Sequence, residues 1–128
     1  MKIMKKLIVV FICACMFTSI ASAQTQTKKV LRHVVLFKFK ETATPANIKM
    51  VEEAFGKLPS KIKLIKGYEW GINNSPEKLN DGLTHCFTVT FAKEKDRNDY
   101  LVFPAHKDFV KILGPYLEKA LVVDYWTN

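Results

Sequence analysis

Residues Asp99–Phe109 read DYLVFPAHKDF, which sets a phenol and an imidazole on either side of a proline in an otherwise helical run. Pro104 has no backbone N–H to donate and biases Phe103 away from helical angles, so a helix ending near Phe103 turns and a second short helix follows. Tyr100 and His106 then flank the corner. An imidazole titrates near neutrality, and beside a phenolic hydroxyl on a cleft wall the two form an acid–base pair. The same residues also fit a plainer arrangement, with the Tyr100 ring packed in a core and His106 capping the second helix.

Working outward, the segment 93–103 is the helix before the corner and His106–Leu113 the helix after it, ended by Gly114-Pro115. Upstream, residues 30–40 alternate as a strand, with His33, Val35, Phe37 and Phe39 on one face and Val34 and Leu36 on the other. Both faces are apolar in the middle, so the strand belongs to a sheet covered on both sides, either by helices and a second sheet or by a partner subunit. Thr44-Pro45 starts a helix whose stripe is Ile48, Val51, Ala54, Phe55 and Leu58, and Pro59 is expected to stop it. Residues 63–72 form a second strand, whose Gly67 and Gly71 leave room on one face for a helix contact or a pocket. A turn-rich stretch, NNSPEKLNDG at 73–82, leads to a third strand at 83–91, and residues 120–126 make a fourth. The order βαββαβ is the ferredoxin-like split unit of the α+β class.

The 128 residues amount to one domain preceded by a leader. Lys2, Lys5 and Lys6 precede an apolar run from Leu7 to Phe17, and Ala21-Ser22-Ala23 is a small-residue cleavage site, so residues 1–23 read as a signal peptide. A short polar tail spans 24–30 and the domain 31–127. The expected location is secreted or periplasmic, with no stable membrane insertion after cleavage. Lipidation at Cys15 is the alternative, although it leaves the Ala-Ser-Ala site without a use. Without the leader, 17 basic residues stand against 12 acidic ones, a charge of +5. The lysines are dispersed with no aromatic-interleaved basic run, which argues against a nucleic-acid partner. Cys86, the lone cysteine of the mature chain, sits in an apolar strand and reads as a buried small hydrophobe.

These residues together resemble a known family. Arg32–Lys40, the Gly67-Tyr68-Glu69-Trp70-Gly71 strand, Gly82-Leu83-Thr84-His85, Tyr100 with Pro104-Ala105-His106, and Val123-Asp124-Tyr125 look like the stress-responsive dimeric α/β barrel family over nearly the whole mature chain. The resemblance implies a homodimer, a dimeric α/β barrel in which two four-stranded sheets pack face to face, with a cavity between sheet and helices in each subunit. It also implies site residues. In a plant polyketide cyclase of that family the histidine matching His106 is the catalytic base, the tyrosine matching Tyr100 supports it, and the histidine matching His33 lines the cavity. The departure is Phe55, where that cyclase has a tyrosine, so a polar contact to a polyketide carbonyl is missing here.

The catalytic candidates are therefore His106, Tyr100 and His33, with Phe55, Phe87, Phe91, Leu101, Phe109 and Leu113 as the apolar substrate-binding walls. The expected ligand is a small, largely apolar carbonyl or phenolic molecule, handled by cofactor-free proton transfer of a cyclase, isomerase or lyase type. A binding or stress-protection dimer without turnover is the alternative, and a dimer whose cavity is filled by its own side chains a third. Three histidines without ligand spacing imply no metal site. His85 reads as a strand-end residue bonded to backbone, and Asp124 as a carboxylate that needs a lysine or backbone partner.

Overall fold

A computed structural model describes residues 27–128; the leader expected at 1–23 lies outside them. The elements are β1 (Leu31–Phe39), α1 (Pro45–Gly56), α2 (Leu58–Lys61), β2 (Gly67–Ile72), β3 (His85–Phe91), α3 (Glu94–Val102), α4 (Pro104–Leu113) and β4 (Leu117–Trp126). They form one antiparallel sheet in the order β2-β3-β1-β4, so the two central strands carry the core and β2 and β4 are edges. This is the ferredoxin-like α+β arrangement read from the sequence.

The first helix starts at its cap. The Thr44 hydroxyl accepts from the Asn47 N–H while the Asn47 side chain accepts from the Thr44 N–H, a reciprocal cap that sets the first turn with Pro45 inside it. Pro59 does not stop α1. The helix ends at Gly56, and Pro59 instead occupies the first turn of α2, where its missing N–H leaves nothing unpaired. The same logic moves the second helix of the corner: α4 begins at Pro104 rather than His106, because a proline suits the first helical position and Phe103, at φ −64° and ψ 138°, supplies the extended residue between α3 and α4.

Three strands differ at one end from expectation. β2 starts at Gly67 rather than at residue 63, since the chain leaving α2 is still turning there, and β3 starts at His85. β4 starts at Leu117, earlier than residue 120, because β1 runs to Phe39 and offers Lys38 and Phe39 as partners across a register shift.

On the helix side of the sheet, Leu31, Val35 and Phe37 of β1 and Phe87, Val89 and Phe91 of β3 meet Val51 and Phe55 of α1, Tyr100 of α3 and Phe109 and Leu113 of α4. Phe55 stacks on Phe87 with ring centroids 4.4 Å apart and tilts against Phe109 at 4.7 Å. Phe87, Val89 and Phe91 have no exposed surface, so this aromatic layer is the main hydrophobic contribution to stability.

The other side of the sheet carries no helix. Val34 and Leu36 of β1 are part-buried there, beside Leu121, Val123 and Tyr125 of β4, which are about half exposed. Gly67 and Gly71 lie on this face, so neither makes the helix contact considered from the sequence. A side chain at Gly67 would crowd Thr90, and Gly71 borders open space. Cys86 is half-buried on the same face rather than sealed in the core.

Candidate functional site

The β1–β4 register decides where a cavity forms. Phe37, Val35 and His33 of β1 stand opposite Ala120, Val122 and Asp124 of β4, all on the helix side. Val122 nevertheless remains half exposed, and between this strip and α3–α4 lies a cavity of about 370 Å³ open to solvent. Its walls are largely apolar: Val35, Phe37, Phe55, Leu101, Phe109, Val110, Leu113, Leu117, Ala120 and Val122. Four polar side chains converge on it, His33, Tyr100, His106 and Asp124.

The proline corner places two of them. Tyr100 comes from the last turn of α3 and His106 from the first turn of α4, with ring centroids 4.5 Å apart. The His106 Nδ1–H donates to the carbonyl oxygen of Leu101 at 3.2 Å. A carbonyl only accepts, so the neutral ring carries its proton on Nδ1 and keeps its lone pair on Nε2. Burial pulls the His106 pKa below its ordinary value, against the bond to Leu101, which raises it, and with a smaller push from His33 in the same downward direction. The Tyr100 ring is 1% exposed, and burial raises its pKa, so the hydroxyl stays protonated at neutral pH. The Tyr100 side chain lines the cavity.

His33 is held from β4. Its Nδ1–H donates to Asp124 Oδ1 at 2.7 Å, and the Arg97 Nη1–H on α3 donates to the other oxygen, Asp124 Oδ2. Burial, then the positive charge of Arg97, lowers the His33 pKa to about 4, so the imidazole is neutral. Its ring lies edge-on to Tyr100 at 5.8 Å.

The structure therefore brings His106, Tyr100 and His33 to one cavity, with Phe55, Leu101, Phe109 and Leu113 on its walls. It does not place Phe87 and Phe91 there. Both lie behind the wall in the core, because β3 is covered by the helices whereas β4 is not. Asp124 and Arg97 were missed as site residues. Asp124 finds a histidine and an arginine rather than a lysine or backbone, and the available signal was the pairing of His33 with Asp124 on antiparallel strands.

His85 stands apart from this cavity and bonds side chains rather than backbone. Its Nε2–H donates to Glu52 Oε1 at 2.9 Å, which leaves Nδ1 to accept from the Thr84 hydroxyl at 2.9 Å, and Trp70 stacks on the ring at 6.0 Å. Among the described residues no group of three histidine, cysteine or acidic side chains is placed to hold a metal ion. No helix among them is long and apolar enough to cross a membrane.

Comparison with known proteins places this arrangement. Olivetolic acid cyclase from Cannabis sativa is 30% identical over 95 residues, covering 74% of this chain and 94% of the cyclase. The solved hydroxynitrile lyase from Passiflora edulis superposes with a TM-score of 0.74 at 27% identity, covering 79% of this chain and 95% of that one. A dimeric protein of unknown function with a ferredoxin-like fold from Bacteroides fragilis gives a TM-score of 0.63 at 27% identity, covering 77% and 96%. Residues 31–127 match the profile of the Stress responsive A/B Barrel Domain, and the chain belongs to that family.

Proposed function

We propose that this protein is a homodimeric barrel whose cavity binds a small, largely apolar carbonyl or phenolic molecule and moves a proton on it without a cofactor. The observation that carries the reading is the His106–Leu101 bond, which leaves an uncharged imidazole with its Nε2 lone pair free in an apolar cavity beside the Tyr100 hydroxyl. His106 Nε2 takes a proton from the carbon next to the carbonyl, or from a hydroxyl. Tyr100 donates its O–H to the oxygen on which negative charge develops, and His33 offers a further polar contact. The apolar walls strengthen both interactions by excluding water. A cyclase and a hydroxynitrile lyase among the relatives agree with a pocket of this kind.

The dimer is supported by the apolar strip Val34, Leu36, Leu121, Val123 and Tyr125 on the helix-free face and by the dimeric relative of the same fold. Export, with the leader removed after Ala23, completes the proposal on the strength of the sequence alone. Phe55 favours one second reading, a binding protein without turnover. Its buried ring, stacked on Phe87, gives that wall no hydroxyl to orient a ligand carbonyl.

Native mass spectrometry of the protein from its own host, wild type beside His106→Ala and Tyr100→Phe, tests the proposal. A dimer carrying a discrete small molecule whose identity or occupancy changes in the variants is the expected result. An empty monomer contradicts it. A dimer whose bound molecule is unchanged in both variants, without turnover, selects the binding reading.

A further inference from the structure

Arg97 does more than decorate a surface helix. One of its N–H groups holds Asp124 Oδ2, its Nε–H donates to Asn98 Oδ1 at 2.8 Å, and its second terminal nitrogen lies 3.6 Å from Glu94 Oε1. The side chain is only 17% exposed, so the guanidinium is pinned over the carboxylate. Arg97, Asp124 and His33, from α3, β4 and β1, form one chain of hydrogen bonds that ends in an imidazole on the cavity wall.

A histidine beside a carboxylate ordinarily gains a proton, and a protonated His33 would present an Nε2–H to the cavity. A guanidinium on the second carboxylate oxygen offsets that attraction. The groups facing His33 are Asp124 from β4, Arg97 and Tyr100 from α3 and His106 from α4, with Glu94 behind Arg97 at the surface. Among the charged ones, Arg97 balances Asp124, so the pocket holds no uncompensated charge.

We infer that Arg97 is a positioning residue that sets ligand specificity: by occupying Asp124 Oδ2 it keeps His33 uncharged with its proton on Nδ1, so that Nε2 accepts from a ligand hydroxyl instead of donating to an anion. The inference rests on the ligand-binding reading of the cavity and narrows it. Two imidazole lone pairs, on His33 and His106, face the pocket together with the hydroxyl of Tyr100. The complementary ligand is a neutral molecule with a hydroxyl to give, a phenol or enol, and a carboxylate in its place meets lone pairs.

The test reads the imidazoles directly, by nitrogen-15 NMR of the unliganded protein as wild type, Arg97→Gln and Arg97→Lys. Wild-type His33 is expected as the Nδ1–H tautomer, titrating well below a free histidine. Arg97→Gln raises its midpoint by about one unit or more, and Arg97→Lys, which keeps the charge, restores most of the difference. Binding of 4-propylphenol and 4-propylbenzoate is then compared at neutral pH, where Arg97→Gln shifts the ratio of affinities towards the benzoate by about tenfold. An Nε2–H tautomer in the wild type, a His33 midpoint unmoved in folded Arg97→Gln, or an unchanged ratio of affinities overturns the inference. If His33 responds as expected and neither probe binds any variant, the positioning role stands and the ligand-binding reading fails.

Discussion

The Nδ1 of His106 sits 3.2 Å from the main-chain oxygen of Leu101, across the proline corner that separates α3 from α4. The corner thus fixes the tautomer of the residue it carries. A backbone oxygen cannot swing away as a side chain can, so Nε2 is committed as the base. Because burial lowers the His106 pKa, the base form prevails at neutral pH. Binding of a hydroxyl-bearing probe is flat above neutrality and falls as pH drops below the ordinary histidine value. His106→Gln removes this acid limb and costs about 1–2 kcal/mol of binding energy, the worth of one hydrogen bond to a buried acceptor. Calorimetric titration across the pH range checks both, and an acid limb that survives in His106→Gln assigns it to another group.

His33 makes a different prediction, about stability. Its folded pKa is about 4 against an ordinary value of 6.5, so between those values the unfolded chain takes up a proton that the folded protein refuses. Stability is therefore full above the ordinary histidine value and declines as pH falls towards 4. The total loss from this group is on the order of 3 kcal/mol. His33→Gln keeps a donor for Asp124 but cannot titrate, and its urea midpoint should fall less steeply between pH 7 and 4. Equal slopes in the two proteins would show that His33 charges freely in the native state.

The sequence made the topology legible because the strands alternate between apolar faces and the first helix carries its cap at Thr44-Pro45. Its errors fell on prolines and strand ends. Pro59 and Pro104 each open a helix rather than end or precede one, a distinction that rests on where the preceding chain turns. The apolar patterns could not separate Phe87 and Phe91 from Phe55, since the strand alternation of the first two and the helical spacing of the third all turn them inward; only the sheet order, with β4 at the edge, decides which of them borders open space. Arg97 was illegible for a related reason. On a helix rich in charge it reads as a solvated residue until the β1–β4 register brings Asp124 beneath it.

The helix-free face of the sheet supports a prediction about assembly. Leu121, Val123 and Tyr125 of β4 are 44%, 50% and 50% exposed in a single subunit, beside Val34 and Leu36, an apolar area that the proposed dimer would bury. Val123→Lys points an ammonium into that interface without touching the helix-side core. Sedimentation analysis should then find a monomer for the variant and a dimer for the wild type, with the far-ultraviolet circular dichroism unchanged. A dimer that tolerates the lysine would move the interface elsewhere on the molecule.

A last pair of substitutions separates wall from core. Phe87 has no exposed surface and touches Phe37, Phe55 and Trp70 rings at 5.2, 4.4 and 5.6 Å, so Phe87→Ala opens a cavity in the aromatic layer. The expected cost is about 3–5 kcal/mol of stability. Leu101 is 41% exposed and borders the open cavity, so Leu101→Ala changes stability by under about 1 kcal/mol while loosening the fit of an apolar ligand. Denaturant unfolding and probe binding, measured on both variants, should give opposite profiles: Phe87→Ala less stable with its remaining folded fraction still binding, and Leu101→Ala equally stable with weaker binding. If Leu101→Ala binds the probe as the wild type does, the ligand does not lie against α3, and the cavity that opens between the helices and β4 is not where it sits.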